Sequence, residues 1–396
     1  MNRRILALLL ALVMVAGLMT GCASGKQETA APETAQTESP AAEETTAELE
    51  QTEESPAEEE APAEPETVSF TDSLGRTVEL PADITRIAPS GAVATMLLAA
   101  IAPECMVTIN TAPSESQMDF LPANLAALPE TGQMYGSKAN LNLETLLAAD
   151  PQVVIDLGDK KGDMTEDLDA LQAQIGIPVV FIEADLAHMA AAFRTLGGLL
   201  SGKADRGEEL AALVDRTTAI AEENAAKITD DMRVCAMYTT GEDGLGTNAA
   251  GSVQAQVLDM VGVENAVVVE DVSSKGGGNI ISLEQLYNFD PDVILFSDGS
   301  IYSTVTDDSA WSQLTAISTG KYYEVPGSPY SWLSGPPSMN MILGVWWLGN
   351  LIYPEIYDYD METMTQELYK TLWGYELSSE EVTALLGNST LKAAAQ

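Results

Sequence analysis

Glu144 and Glu284 stand at matching points of one pattern written twice along the chain. Leu143-Glu144-Thr-Leu146, followed by Asp150-Pro151 and Val153, returns as Leu283-Glu284-Gln-Leu286, Asp290-Pro291 and Val293 at a constant offset of 140 residues. Two equivalent carboxylates suit electrostatic recognition of a basic partner with approximate two-fold symmetry. Each is also a favoured first-turn helix residue, where the helix dipole contributes about 0.3–1 kcal/mol. Other chemistry is scarce. His188 is the only histidine, which excludes a multi-histidine metal site, and 3 cysteines cannot complete a four-cysteine zinc site. The chain has neither a Gly-x-Ser-x-Gly elbow nor a Gly-x-x-x-x-Gly-Lys-Ser/Thr loop, and a Ser-His-Asp triad would hang on His188 alone. The sequence is therefore read as a non-enzyme with no cofactor and no direct metal ligands. His188 itself is expected on a helix, as a surface or packing residue. Cys105 and Cys235 are read as buried small apolar residues in different halves, not as a disulfide.

The 396 residues carry 60 Asp and Glu against 18 Lys and Arg, a formal net charge of -42. Phosphates would be repelled, which argues against nucleic acid and against a basic face on anionic lipid. With 46% apolar residues the chain can bury a sizeable core in two or three domains. At the front, Arg3 and Arg4 precede an apolar run from Ile5 to Leu18, too short for a membrane span of about 20 residues but right for an export signal over 1–21. Residues 23–66 hold 14 Glu and a single Lys, with no aromatic residue. Such a stretch cannot offset its ordering entropy and is expected to be a disordered tether, reaching roughly 35–40 Å as a coil and further under self-repulsion. An acidic interaction tail is the rival reading.

From Val68 the texture changes to short strands and helices. Val68–Thr71 and Arg76–Pro81 read as strands around a turn, and Ile84–Ala88 as another, before a helix from Ala92 to Ala100. Strands at Met106–Asn110, Val153–Leu157 and Val179–Ile182 alternate with helices at Leu143–Ala149 and Leu168–Ile175. This βα alternation predicts parallel sheets covered by helices. Both repeat copies read as a short helix, an Asp-Pro stop and a buried strand. A period of 140 suggests two similar α/β lobes rather than a solenoid. Between them Ala204–Ile228 keeps Leu210, Leu213, Val214, Thr217 and Ile220 on one face, a long helix of about 37 Å.

The stretch Leu18-Met-Thr-Gly21-Cys22 resembles the lipobox of bacterial lipoproteins, which implies that Cys22 becomes a lipidated N-terminus. The folded body resembles the solute-binding proteins of ABC importers that handle iron–siderophores, haem and cobalamin. The likeness rests on Thr71-Asp72-Ser-Leu-Gly75-Arg76, Asn142-Leu143-Glu144 with Asp150-Pro151, Ser282-Leu283-Glu284 with Asp290-Pro291, Gly320-Lys321-Tyr322-Tyr323, and Pro336-Pro337-Ser338-Met-Asn340 through Trp346-Trp347. It spans about residues 68–375.

The resemblance implies an α/β fold of two similar Rossmann-like lobes with mostly parallel central sheets, joined by one spine helix and holding a ligand cleft between them. The expected layout is signal 1–21, lipidated Cys22 and acidic tether over 22–66, first lobe 67–200, spine 201–230 and second lobe 231–396. It further implies that Glu144 and Glu284 dock on an ABC permease dimer, that the chain is a monomer, and that it sits outside the cytoplasm, held to the outer face of the cell membrane by lipid alone. Loops at the carboxyl ends of strands would then face the ligand. These offer Ser90, Tyr135, Lys138 and Asn140 from the first lobe, and Tyr238, Asn248, Tyr330, Trp332, Ser338 and Asn340 from the second. Trp346 and Trp347 are read as core. A metal chelate, above all an iron–siderophore, is the preferred solute; a molybdate-type oxyanion, cobalamin and haem are alternatives, and a surface adhesion or sensory protein is the reading from another class. A single spine helix predicts lobe movements of roughly a few degrees.

Overall fold

The computed structural model describes residues 66–134, 139–162, 164–273 and 277–390. Cys22, the signal, the tether, Tyr135 and Lys138 lie outside the described residues. The first lobe opens with a hairpin of β1 (Thr67–Thr71) and β2 (Thr77–Pro81), paired antiparallel with Phe70 opposite Val78. Its turn is built by Asp72, whose Oδ1 accepts from the backbone N–H of Leu74 (2.9 Å) and Arg76 (3.0 Å), with Gly75 at φ 81. Arg76 then bonds the carbonyl of Val179 at 3.1 Å, tying the hairpin to the sheet.

Three parallel strands form that sheet, in the order β3 (Ile87–Pro89), β4 (Val153–Gly158), β5 (Val179–Glu183). Every residue of β4 is buried, as expected of a central strand covered on both faces. The helices of this lobe are α1 (Ala92–Ile101), the single turn α2 (Glu115–Met118), α3 (Leu143–Ala148), α4 (Met164–Ile175) and α5 (Met189–Leu199). The expected strand over Met106–Asn110 is not a ladder: Met106 and Ile109 each make only a bridge, to Ile87 and Glu130. His188 does not sit inside a helix but caps the start of α5, with its ring Nδ1 2.6 Å from Asp185.

The long helix α6 runs from Ala204 to Ala225, ending before Ile228. It lies against α5 at Gly207, where a Cβ would meet the carbonyl of Phe193 at 2.6 Å. Arg206 donates to the carbonyl of Ala100 (3.0 Å) and to that of Thr371, so one side chain fastens helices of both lobes. Thr217 accepts from Trp346 Nε1 at 2.9 Å. One apolar core therefore runs continuously from Val153 through Leu210 to Trp346 and Leu368.

The second lobe carries β6 (Cys235–Thr240), β7 (Gly246–Thr247), α7 (Gln256–Met260), β8 (Glu264–Asn265), β9 (Asn279–Ile280), α8 (Leu283–Phe289), β10 (Val293–Phe296), α9 (Thr315–Ser318) and β11 (Tyr322–Glu324). The helices α10 (Asn340–Ile352), α11 (Met361–Trp373) and α12 (Ser379–Leu386) complete it. Its sheet runs β11-β10-β6-β7-β9 with β8 also on β6; β10, β11, β6 and β8 pair in parallel, and β7 antiparallel.

The repeat has a shared backbone signature. Among the described residues only Asp150 (φ 50) and Asp290 (φ 32) place a non-glycine residue at positive φ. Each ends its helix in a left-handed turn, and the following proline prevents the helix from resuming.

Candidate functional site

Where the carboxyl ends of β3 and β4 meet the second lobe, a cleft of about 230 Å³ opens. Its walls come from Ser90–Ala94, Gln133, Asp156, Leu157, Asp159 and Lys161 on one side, and from Gln254 and Ser334–Pro337 on the other. A larger cavity of about 330 Å³ lies beside Phe120, Glu324 and Glu381, but its walls hold three acids and no cation. The first cleft has the more varied chemistry.

Ser90 follows β3, and its backbone N–H bonds the carbonyl of Ile155 at 3.1 Å. That bond holds its hydroxyl against Asp156, to whose Oδ1 it donates. Asp156 is 4% exposed, and no described group reaches its Oδ2. Burial pushes its carboxyl up to about 6; the Ser90 hydroxyl and the Lys161 ammonium pull the other way. Lys161 itself is half-exposed, 3.4 Å from Asp159. At the mouth, α1 begins at Gly91 without a side-chain cap, so the first N–H groups of the helix are left for another acceptor.

The expected ligand contacts divide by position. Ser90 lies on the cleft wall. Asn140 is exposed and works one step back, its Oδ1 accepting from the Gln133 N–H at 3.1 Å. Asn248 likewise donates to Ser334 Oγ at 3.0 Å, and so positions a wall residue without lining the wall itself. Tyr238 is enclosed in the second lobe with its hydroxyl 3.4 Å from Ser331, and burial raises its pKa. Tyr330 is partly buried and pushed up to about 12 by burial.

Three of the expected residues lie deeper. Trp332, Ser338 and Asn340 are 0% exposed, and none lines the cleft. Asn340 bonds back to the carbonyl of Ser331, and Gly344 of α10 comes so near that a Cβ would lie 2.1 Å from the Trp332 carbonyl. The helix start therefore packs inward and only Gly335-Pro336-Pro337 reaches the cleft.

Glu144 and Glu284 are exposed in the first turns of α3 and α8. Their helices are capped by Asn142, bonded to the Thr145 N–H at 3.1 Å, and by Ser282, bonded to the Gln285 N–H at 3.2 Å in a capping box.

Asp156, Gln133, Lys161 and Gln254 were not foreseen. A signal for the first was present: Asp156 is the one ionisable residue in the apolar strand Val153–Leu157.

Among the described residues no helix is long and apolar enough to cross a membrane. The periplasmic binding protein family model matches residues 90–329. No curated protein matches the sequence. Among solved structures, an ABC transporter solute-binding protein from Sulfurospirillum deleyianum is 28% identical, with a TM-score of 0.74 over 81% of this chain and 99% of that one. A periplasmic solute-binding protein from Veillonella parvula, 24% identical, superposes at a TM-score of 0.67 over 82% of this chain and 98% of its own. A molybdate-bound periplasmic binding protein from Haemophilus influenzae is 21% identical, at 0.63 over 78% and 99%. A chain that carries the family's pattern through most of its folded body, on a fold shared with a solved transport protein, belongs with them: this is a periplasmic binding protein, an extracytoplasmic solute-binding component of an ABC transporter.

Proposed function

We propose that the protein captures a metal chelate, an iron–siderophore or a close chemical relative, in the cleft between its lobes and delivers it to the permease. The observation that carries this reading is the charge of the cleft. Asp156 and Asp159 face a single cation, Lys161, and arginine is absent from its described walls. A strongly anionic solute would be opposed there, whereas a chelate that wraps its metal in neutral donors meets Ser90, Gln133, Gln254 and Ser334 as hydrogen-bonding partners. Glu144 and Glu284 would dock on arginines of the permease, and lipid on Cys22 with the acidic tether would keep the body near it.

A second reading is favoured by one feature. The uncapped start of α1 at Gly91 offers backbone N–H groups to an anion. The Haemophilus influenzae relative, similar in fold, holds molybdate. Asp156 beside that helix start weighs against an oxyanion at neutral pH.

Mass and metal analysis of the solute that co-purifies with the protein separates the two. Iron with an organic chelator supports the proposal; molybdenum without one overturns it. For docking, the double reversal Glu144→Arg with Glu284→Arg is expected to abolish uptake while leaving solute affinity unchanged. Lost affinity would remove these residues from the docking role.

A further inference from the structure

We infer that Asp156 is the specificity-determining acceptor of the cleft: its free Oδ2 receives an N–H or O–H donor of the bound chelate, so the solute is a neutral or cationic chelate bearing such a donor. This rests on the reading of the cleft as a chelate site, and it names the solute class within that reading.

The fold itself does not require a carboxylate at this point. The position equivalent to Asp156 in the second repeat is Phe296, at the same offset of 140 residues. Phe296 is 0% exposed and packs on Tyr302, Trp311 and Tyr322, with ring centroids 5.5–6.4 Å apart. An apolar side chain therefore suits the fourth residue of this strand. In the first lobe the same position holds a buried acid, one oxygen of which accepts from Ser90 while the other has no hydrogen-bond partner among the described residues. A buried acceptor left without a donor is destabilising, commonly by more than a made bond contributes. Holding Ser90 does not explain the acid either, since a neutral acceptor would serve the same hydroxyl.

The surroundings point the same way. Ser90 comes from the end of β3, Asp159 and Lys161 from the segment after β4, and the start of α1 from above. Gln133, Gln254 and Ser334 carry no charge. Lys161 is paired with Asp159 at 3.4 Å rather than with Asp156. Among the described residues the cleft has no ammonium or guanidinium bonded to Oδ2, and a ligand donor is the complement it lacks. Charge-assisted hydrogen bonds of this kind are the stronger ones.

The test uses two probes that differ in one group: a ferric linear tris-hydroxamate with a pendant ammonium, and the same linear chelate with a methyl group in place of the ammonium. Affinities of the full-length lipoprotein in detergent are measured by calorimetry between pH 5 and 8, with molybdate as a third titrant. The expected result at pH 7.5 is a preference of about tenfold for the ammonium-bearing chelate. That preference should shrink as pH falls through about 6, where Asp156 takes up its proton. In Asp156→Asn the preference for the ammonium-bearing chelate disappears. The pH profile of the native protein reads the same interaction without any substitution. Binding of both chelates with equal affinity at every pH, in native and variant protein alike, overturns the role of Asp156 and leaves the chelate reading standing. Binding of molybdate with neither chelate bound overturns both.

Discussion

The two repeat copies have kept one scaffold and parted in chemistry. In each, a short helix carries a glutamate in its first turn, ends on a left-handed aspartate, and hands over through proline to a buried parallel strand. The fourth residue of that strand is Asp156 in one lobe and Phe296 in the other. Phe296 closes an aromatic cluster, and the second lobe has its own apolar core there, including Ile294, Trp311 and Ile317. Asp156 instead faces the interlobe cleft. The frame is shared, and the residue type at this point decides whether the strand end fills an apolar core or lines the cleft.

Exchanging the two residue types breaks this comparison most severely. Phe296→Asp places an unpaired carboxylate among Tyr302, Trp311 and Tyr322, and is expected to destabilise the fold by about 4 kcal/mol or more. Chemical denaturation checks this; a loss below about 1 kcal/mol would mean the second strand end is not the closed core described.

The reverse case follows from the sign of the Asp156 shift. Its folded-state pKa is raised from 3.8 to about 6, so ionisation is penalised in the folded chain. That penalty is nearly absent at pH 3, grows as pH rises from about 4 to about 6, and is complete by pH 7.5, at about 3 kcal/mol. Asp156→Asn should therefore raise stability at pH 7.5 by up to that amount and leave it nearly unchanged at pH 3. Equal effects at the two pH values would show that the carboxyl is not held in a desolvated site.

The helix stops give a finer contrast. Asp290 uses its left-handed position, accepting from the Thr315 N–H at 3.0 Å and the Thr315 hydroxyl at 2.9 Å to start α9. Asp150 contributes its carbonyl to Arg86 at 2.9 Å, a bond any residue can make. Asp150→Gly is expected to stabilise by about 0.5–1 kcal/mol, and Asp290→Gly to destabilise by about 1 kcal/mol. Thermal melts of the pair should move in opposite directions; a shared direction would remove the distinction. The smallest effect is reserved for the glutamates: Glu144→Ala and Glu284→Ala should each change stability by less than about 1 kcal/mol.

The frame was far more legible than the site. Alternating strands and helices, the 140-residue repeat and the long helix are periodic features, visible because backbone geometry imposes them on many residues at once. Met106–Asn110 reads as a strand from its apolar residues, yet only isolated bridges form there, since apolar spacing cannot report whether a neighbour is within bonding reach. The position of Ser90 beside the cleft was legible from its place after a strand. Trp332, Ser338 and Asn340 were not, because loop-like composition says nothing of Gly344 drawing α10 tight under Trp332. Asp156 was hidden by its neighbours: an acid inside a buried run looks like part of the strand until the residue is seen to line the cleft.

The central claim is that this cleft takes a donor-bearing metal chelate and not an oxyanion. Calorimetric titration of the native protein at pH 7.5, with the ammonium-bearing ferric tris-hydroxamate in one cell and molybdate in another, tests it most directly. One chelate bound per chain with no heat from molybdate is the predicted result; saturable molybdate binding with no response to the chelate would contradict it.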